Sequence, residues 1–457
     1  MPTGALSHTG PLAAAPPNPG VIEPERGKGL LINRNFALLA IGQAISNIGD
    51  FVYTTTLLVW VFSLTHSAAA ISGVLIAQYT PVFLLGPVAG VFVDRWNRRL
   101  TMIASDVIRA AVTMLPFIVP VALRLPAIYT SVFLLSTFSR FFMPARSGVL
   151  QVIVHEEQQP QAASIAQATF ALSFIIGPAI ASPLYFAVGP LVACIINALS
   201  FLVSAVTLRF IQAPKAALHP YSVAKGERQL GVGVVIRELL AGFRFVATTR
   251  ILLMVTLLAL IAMFGAGALN ALDIIFVVRN LHASASLYGP LMAIGGLGTL
   301  IGAICAGFVA RKLAPKYILT GSIMILGVGI VIYAFQTWII MAMIINFLIC
   351  IPQGGIDVGF GPLLLNATPQ AMMGRVQSVI ETAMFGVSLI SVALAGYFGQ
   401  FVPVNIIFAI GGALIGISGV FGWFALPNPA KNSQEENFNP PAAFTRPYAR
   451  RKIGPAN

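Results

Sequence analysis

Gly90-Val91-Phe92-Val93-Asp94-Arg95-Trp96-Asn97-Arg98-Arg99 is a short charged turn set between two long apolar stretches, Ala69 to Val93 and Met102 to Ala122. Working outward from it, the same alternation recurs along the chain. Apolar stretches run from Phe36 to Leu64, Ala127 to Leu150, Gln161 to Ala187 and Leu191 to Phe210, and completing the set of twelve are Ile251 to Val278, Leu287 to Ala310, Tyr317 to Phe335, Trp338 to Leu365, Ala371 to Phe398 and Val404 to Leu426. Each is near or above the roughly 20 residues a membrane helix needs. Coil at that depth would leave backbone groups unpaired, so each stretch is expected to be helical. The expected fold class is therefore an all-α polytopic membrane protein with twelve transmembrane helices.

Composition agrees. Of 457 residues, 57% are hydrophobic and only 9% charged, too little polar surface to coat a soluble globule. The net charge of +13 raises the question of nucleic acid, but the placement of the basic residues answers it. Threading the chain with its start in the cytoplasm puts Arg26, Lys28, Arg34, Arg95, Arg98, Arg99, the Arg209 to Arg250 stretch, Arg311, Lys312, Lys316, Arg375 and the cluster Arg446, Arg450, Arg451 and Lys452 on one side. Only Arg124 and Arg279 fall on the other. This is the positive-inside pattern, with both termini expected in the cytoplasm and no nucleic-acid partner. Trp60 and Trp338 fall at expected outer ends and Trp96 and Trp423 at inner ones, where indole rings sit among headgroups.

The expected organisation is a disordered cytoplasmic tail at 1–33, a six-helix half at 34–210, a cytoplasmic linker at 211–250, a second six-helix half at 251–426 and a disordered basic tail at 427–457. Within the linker, Val235 to Arg244 mixes basic and apolar residues at near-helical spacing, as a helix lying on the inner membrane surface would. The halves show a faint repeat at an offset of 217 residues, aligning Gly90 with Gly307, Arg95 with Lys312 and Arg99 with Lys316. Repeated halves are the plan of a rocking transporter with its substrate between them.

On these residues the chain resembles the major facilitator superfamily over about residues 34 to 426. The charged turn matches that superfamily's G-x-x-x-D-R-x-G-R-R pattern at Gly90, Asp94, Arg95, Arg98 and Arg99, with Asn97 in place of the second Gly. Asn tolerates the left-handed backbone a tight turn can need. The run Leu38 to Asp50, the segment Arg140 to Arg146 and Gly374-Arg375-Val376 resemble the bacterial efflux branch that includes macrolide and enterobactin exporters. Ser173, Gly177 and Pro178 resemble the antiporter motif G-x-x-x-G-P-x-x-G-G, with Ala181 and Ser182 replacing its last two glycines. The resemblance implies two pseudo-symmetric six-helix halves, no enzymatic activity and no cofactor. It also implies that segments one, four, seven and ten line a central cavity; these carry Asp50, Arg140, Asp273 and Asp357.

Ionisable residues in a bilayer cost about 2.5 kcal/mol or more, so each asks for a role. Asp50 and Arg140 lie at depths of roughly 21 and 16 Å, near enough to pair. Asp50 then either titrates, alternating between a bridge to Arg140 and a protonated state, or forms a permanent bridge that pins two helices. Asp273 is either a cavity residue or a solvated group at the outer mouth. Asp357 follows Gly354 and Gly355, where a helix can bend toward a ligand. Glu381 is either a proton site or a polar contact between helices. The charged turn reads as a cytoplasmic gate, Asp94 capping a helix and, by family resemblance, meeting the region of Arg375, or as a plain topology anchor. Gly295, Gly296, Gly298 and Gly302 allow close helix packing. Cys194, Cys305 and Cys350 lack metal-ligand spacing, and the sequence carries neither a Walker loop nor a nucleophile triad.

The function expected is secondary active export of a lipophilic or amphipathic small molecule, such as a drug, macrolide or siderophore, by proton antiport across the bacterial cytoplasmic membrane. Each half supplies one wall of the pathway, so a monomer is expected, with substrate, protons and the lipid bilayer as partners. The rivals are an importer of the same fold and a membrane scaffold or sensor without transport.

Overall fold

The computed structural model describes residues 32–93, 95–212 and 232–426. Asp94, both tails and 213–231 lie outside the described residues, and with them the expectations placed there. Twelve helices are long and apolar enough to cross a membrane. They are α1 (Arg34–Thr65), α2 (Ala68–Val93), α3 (Arg98–Thr113, followed by a short turn at Leu115–Ile118), α4 (Arg124–Ile153), α5 (Gln159–Val188) and α6 (Pro190–Arg209). After the linker helix α7 (Val232–Thr248) come α8 (Arg250–Ile275), α9 (Tyr288–Val309), α10 (Pro315–Ala334), α11 (Ile339–Ala367), α12 (Met373–Phe398) and α13 (Val404–Ala425). No strand occurs among the described residues.

Local chemistry sets the helix ends. The Asn33 side chain accepts a hydrogen bond from the Phe36 N–H at 2.8 Å and starts α1; His66, left-handed at φ 48°, ends it. Asn97 starts α3 in the same manner, accepting from the Leu100 N–H at 3.0 Å. Its φ is −67°, so Asn97 replaces the family glycine as a helix cap, not as a left-handed turn residue. Gly189, at φ 82°, makes the tight reversal from α5 to α6 that a side chain would strain.

Two different arrangements join the halves at the two faces of the bundle. We call the face bearing Arg95, Arg99, Arg209 and Lys312 the basic face. At the opposite face one apolar core runs across both halves, from Tyr53 to Phe62 and Ile71 to Leu75 through Ala271 to Val277, Val392 and Phe408. Arg279 extends this join by donating to the His66 carbonyl at 3.0 Å. At the basic face there are two separate cores, one around Phe36, Met102 and Phe142 and another around Phe245, Val376 and Ile380. The bundle is therefore closed opposite the basic face and parted toward it.

Trp60 belongs to the shared core, 4% exposed and stacked on Phe117 at 5.2 Å, so it does not sit among headgroups as expected. The linker helix forms, but it docks on the second half as well as presenting an outer face. Phe245 and Val246 join the core of Val376 and Ile380, and the Gly242 backbone lies against that of Arg375. Ile236, Leu240 and Phe243 stay exposed, an apolar stripe suited to the membrane surface.

Small residues let α5 and α9 cross between the halves. Pro178 and Ser182 lie against Gly289, where any Cβ would collide with the Pro178 carbonyl. The Gly289 N–H, in the first turn of α9 and so without an intrahelical partner, donates to the Ser182 hydroxyl at 2.9 Å. On the other side of α9, Gly298 and Gly302 meet the carbonyls of Phe347 and Ile351 in α11. Replacing Ser182 with Ala strands a buried donor and is expected to cost about 1–3 kcal/mol. Thermal unfolding in detergent should show a lower midpoint for Ser182→Ala, and none for Ser164→Ala, whose exposed hydroxyl serves only its own helix.

Candidate functional site

A cavity of about 480 Å³ lies within the second half, walled by α8 to α13 and closed on one side by Phe174 of α5. Most of its wall is aliphatic or aromatic, including Leu258, Met263, Ile323, Tyr333 and Phe408. Its polar groups are Asn270 and Asp273 from α8, Thr299 from α9, and Asn346, Cys350, Gln353 and Asp357 from α11. None of the lining residues is basic. Asp273 is half-buried and Asp357 exposed, and both line this cavity, so Asp273 is not a solvated group at an outer mouth. Immediately after Asp273 the helix loosens into a π-turn, Phe276–Asn280, an irregularity that often accompanies a functional side chain. Asn346 is held by donating to the Leu291 carbonyl at 2.9 Å.

The expected pair of Asp50 and Arg140 does not form. Asp50 accepts instead from the Asn197 side chain of α6 at 3.4 Å, and the cation whose charge it senses is Arg109. Arg140 is half-buried on α4 with its Nε unbonded, and the carboxylate whose charge acts on it is that of Glu381 on α12. Glu381 is exposed and also accepts from Gln377 at 3.0 Å. Of the five expected pathway residues, Asp273 and Asp357 thus share the cavity of the second half, Arg140 and Glu381 stand on helices of different halves, and Asp50 is set apart among the helices of the first half.

What sequence reasoning missed is Asp106 and Arg109 on α3, 0% and 5% exposed, which form a salt bridge. The Arg109 guanidinium is held between two rings, 4.7 Å from the centroid of Phe142 and 4.3 Å from that of Phe201. Both residues sit inside an apolar run and were passed over as part of it; their spacing of three, which places opposite charges on one helix face, is the signal that marks them.

Gly90 lies in the last turn of α2 with open space beside it, and Arg95 is exposed in the turn that follows. Arg98 donates to the Gly148 carbonyl of α4 at 3.4 Å and Arg99 to the Arg209 carbonyl at the end of α6. Arg375 pairs with Glu238 of the linker helix at 2.9 Å. The contact expected between Asp94 and the region of Arg375 lies outside the described residues. Of the antiporter-like residues, Ser173 is buried and bonds its own helix, Gly177 lies against Phe51 and Val52 of α1, and Pro178 against Gly289 of α9. Together they form a close-packed seam on both faces of α5.

Comparison with known proteins decides the family. Residues 30–453 match the model of a family described as transmembrane secretion effector. This chain belongs to that family, within the major facilitator superfamily. Macrolide efflux protein A of Streptococcus pyogenes is 26% identical over 388 residues, covering 83% of this chain and 93% of that one. The MFS-type transporter YkuC of Bacillus subtilis (strain 168) is 24% identical over 412 residues, covering 89% and 95%. The nucleoside transporter NupG superposes with a TM-score of 0.71 at 11% identity, covering 86% of this chain and all of that one, a likeness of fold. The secretion effector family is one of transporters, and its efflux relatives make this chain a multi-pass major facilitator transporter.

The α3 pair gives a stability prediction. Removing one partner of a buried ion pair costs about 3–5 kcal/mol, whereas replacing both with apolar residues is often near neutral. Arg109→Met alone should therefore lower the unfolding midpoint in detergent sharply, and Arg109→Met with Asp106→Leu should restore most of the loss.

Proposed function

We propose that this transporter exports a lipophilic or amphipathic organic cation, of the size of a drug or a macrolide, across the bacterial cytoplasmic membrane in exchange for protons. The observation that carries the reading is the cavity of about 480 Å³, apolar over most of its wall, bearing Asp273 and Asp357 and no basic residue. Drug-sized ligands fill cavities of roughly 300–1,000 Å³. In so apolar a setting a carboxylate attracts a cation far more strongly than in water, and an anion such as a siderophore would be repelled. Sugars need many hydrogen-bonding side chains, and this wall has few.

Orientation follows from charge. The basic face and both termini lie in the cytoplasm by the positive-inside rule, so the parted face opens inward, as a pump loading cargo from the cell requires. The name of the macrolide efflux relative supports the outward direction. The protein works as a monomer by alternating access, the halves rocking about the seam of α5 and α9. Asp50, Arg140, Asp273, Asp357 and Glu381 make up the substrate and proton pathway. The turn from Gly90 to Arg99, with Arg375, forms the cytoplasmic gate, in which Arg98 and Arg99 donate to backbone carbonyls of α4 and α6 and Arg375 pairs with Glu238 of the linker helix.

Purified protein in proteoliposomes with an imposed pH gradient should move ethidium and erythromycin in the direction of export. Asp273→Asn and Asp357→Asn should each weaken ethidium binding about tenfold, or 1.4 kcal/mol. Gradient-driven movement of anionic compounds in preference to these, or uptake in the opposite direction, would overturn the reading; a total absence of movement would favour a scaffold.

A further inference from the structure

A second, smaller cavity of about 20 Å³ lies among α1, α4 and α5, beside the core of Phe36 and Phe142 at the basic face. Roughly 10–15 Å³ suffices for one water, so this space suits a single water or a monatomic ion and is far too small for a cargo molecule. Apolar side chains such as Phe36 and Leu150 make part of its wall, and its polar groups are Gln43 and Asn47 of α1, Arg146 of α4 and Thr169 of α5. Thr169 donates its hydrogen to the Ile165 carbonyl of its own helix at 2.8 Å. The other three are unbonded. Among the described residues the Gln43 and Asn47 amides form no side-chain hydrogen bond, and Arg146 forms no hydrogen bond, ion pair or ring contact. Gln43 is only 7% exposed, and the Arg146 Nε is buried.

Buried amides are ordinarily bonded, and a cation within a membrane domain is ordinarily paired. Here no acid lines the space. Glu156 and Glu157, in the turn that precedes α5, are exposed, and neither pairs with Arg146. A water would bond these groups and leave the positive charge unmatched, whereas an anion bonds them and cancels it. The guanidinium has only N–H groups to offer, and each amide can turn its NH2 toward the same point. We propose that Gln43, Asn47 and Arg146 form a binding site for a chloride-sized monovalent anion. The ion accepts hydrogen bonds from α1 and α4 together, linking the two helices within the first half and neutralising Arg146. It is independent of the export reading, since none of its residues lines the cavity of the second half.

The test is the linewidth of the chloride NMR signal, which broadens when chloride exchanges on and off a protein site, measured with the purified full-length protein in lipid nanodiscs and gluconate as the background anion. Wild type should add broadening that bromide competes away and that sulfate at equal ionic strength leaves in place. Arg146→Gln should abolish it. Gln43→Leu and Asn47→Leu should each weaken chloride binding about fivefold, the worth of one hydrogen bond. Neither amide is bonded within the protein, so these two variants decide the matter if Arg146→Gln does not fold. Arg140→Gln, which removes another half-buried guanidinium from the same helix, should leave the broadening as it is. No broadening with wild type overturns the proposal and gives the space to water. So does broadening that survives Arg146→Gln, that both leucine variants leave unchanged, or that is lost equally in Arg140→Gln. Broadening that sulfate removes as readily as bromide also overturns it, as a diffuse response of the basic face.

Discussion

The apolar core shared by the two halves at the face opposite the basic loops is the constraint on which the remaining structure depends. In lipid, helices gain little by leaving a hydrocarbon solvent, so association relies on close contact and on polar groups with nowhere else to bond. The join has both. Tyr53 to Phe62 packs against Ala271 to Val277, while Gly289, Pro178 and Ser182 bring backbones together with one hydrogen bond across the gap. With that face fixed, the separate cores at the basic face are free to part, and the cavity lies beside the join, inside the second half.

Much of this was legible in the sequence because the bilayer allows few alternatives. Twelve apolar runs became twelve spanning helices, and the turn at Gly90 to Arg99, with Gly177 and Pro178, pointed to the family that the whole chain then matched. Single side chains were harder to read. Asn97 stood where the family has glycine, and either a turn or a cap would account for it; only φ distinguished them. Asp50 and Arg140 lie at similar depths, but depth says nothing about which way a side chain points around its helix, and they face different neighbours. Asp106 and Arg109 were hidden because two charged residues in a run of about twenty apolar ones lower its hydropathy too little to interrupt it. Ser182, read as a departure from the antiporter motif, proves to be the hydroxyl that satisfies the start of α9.

The halves have diverged in what they bury. The first places its charges among α1, α3 and α6 with little space around them, and the second places two acids around a cavity able to hold a sizeable molecule. The linker helix is no slack tether, since Glu238 and Phe245 fasten it to the second half and make it move with that body.

The seat of Arg109 between two phenyl rings also narrows how this sequence can drift. A lysine would preserve the charge but offers neither a flat face for Phe142 and Phe201 nor a fork for Asp106. The usual stepping stone between arginine and an uncharged residue is thereby removed. The pair can then be given up without a large loss of stability only by changing both members at nearly the same time.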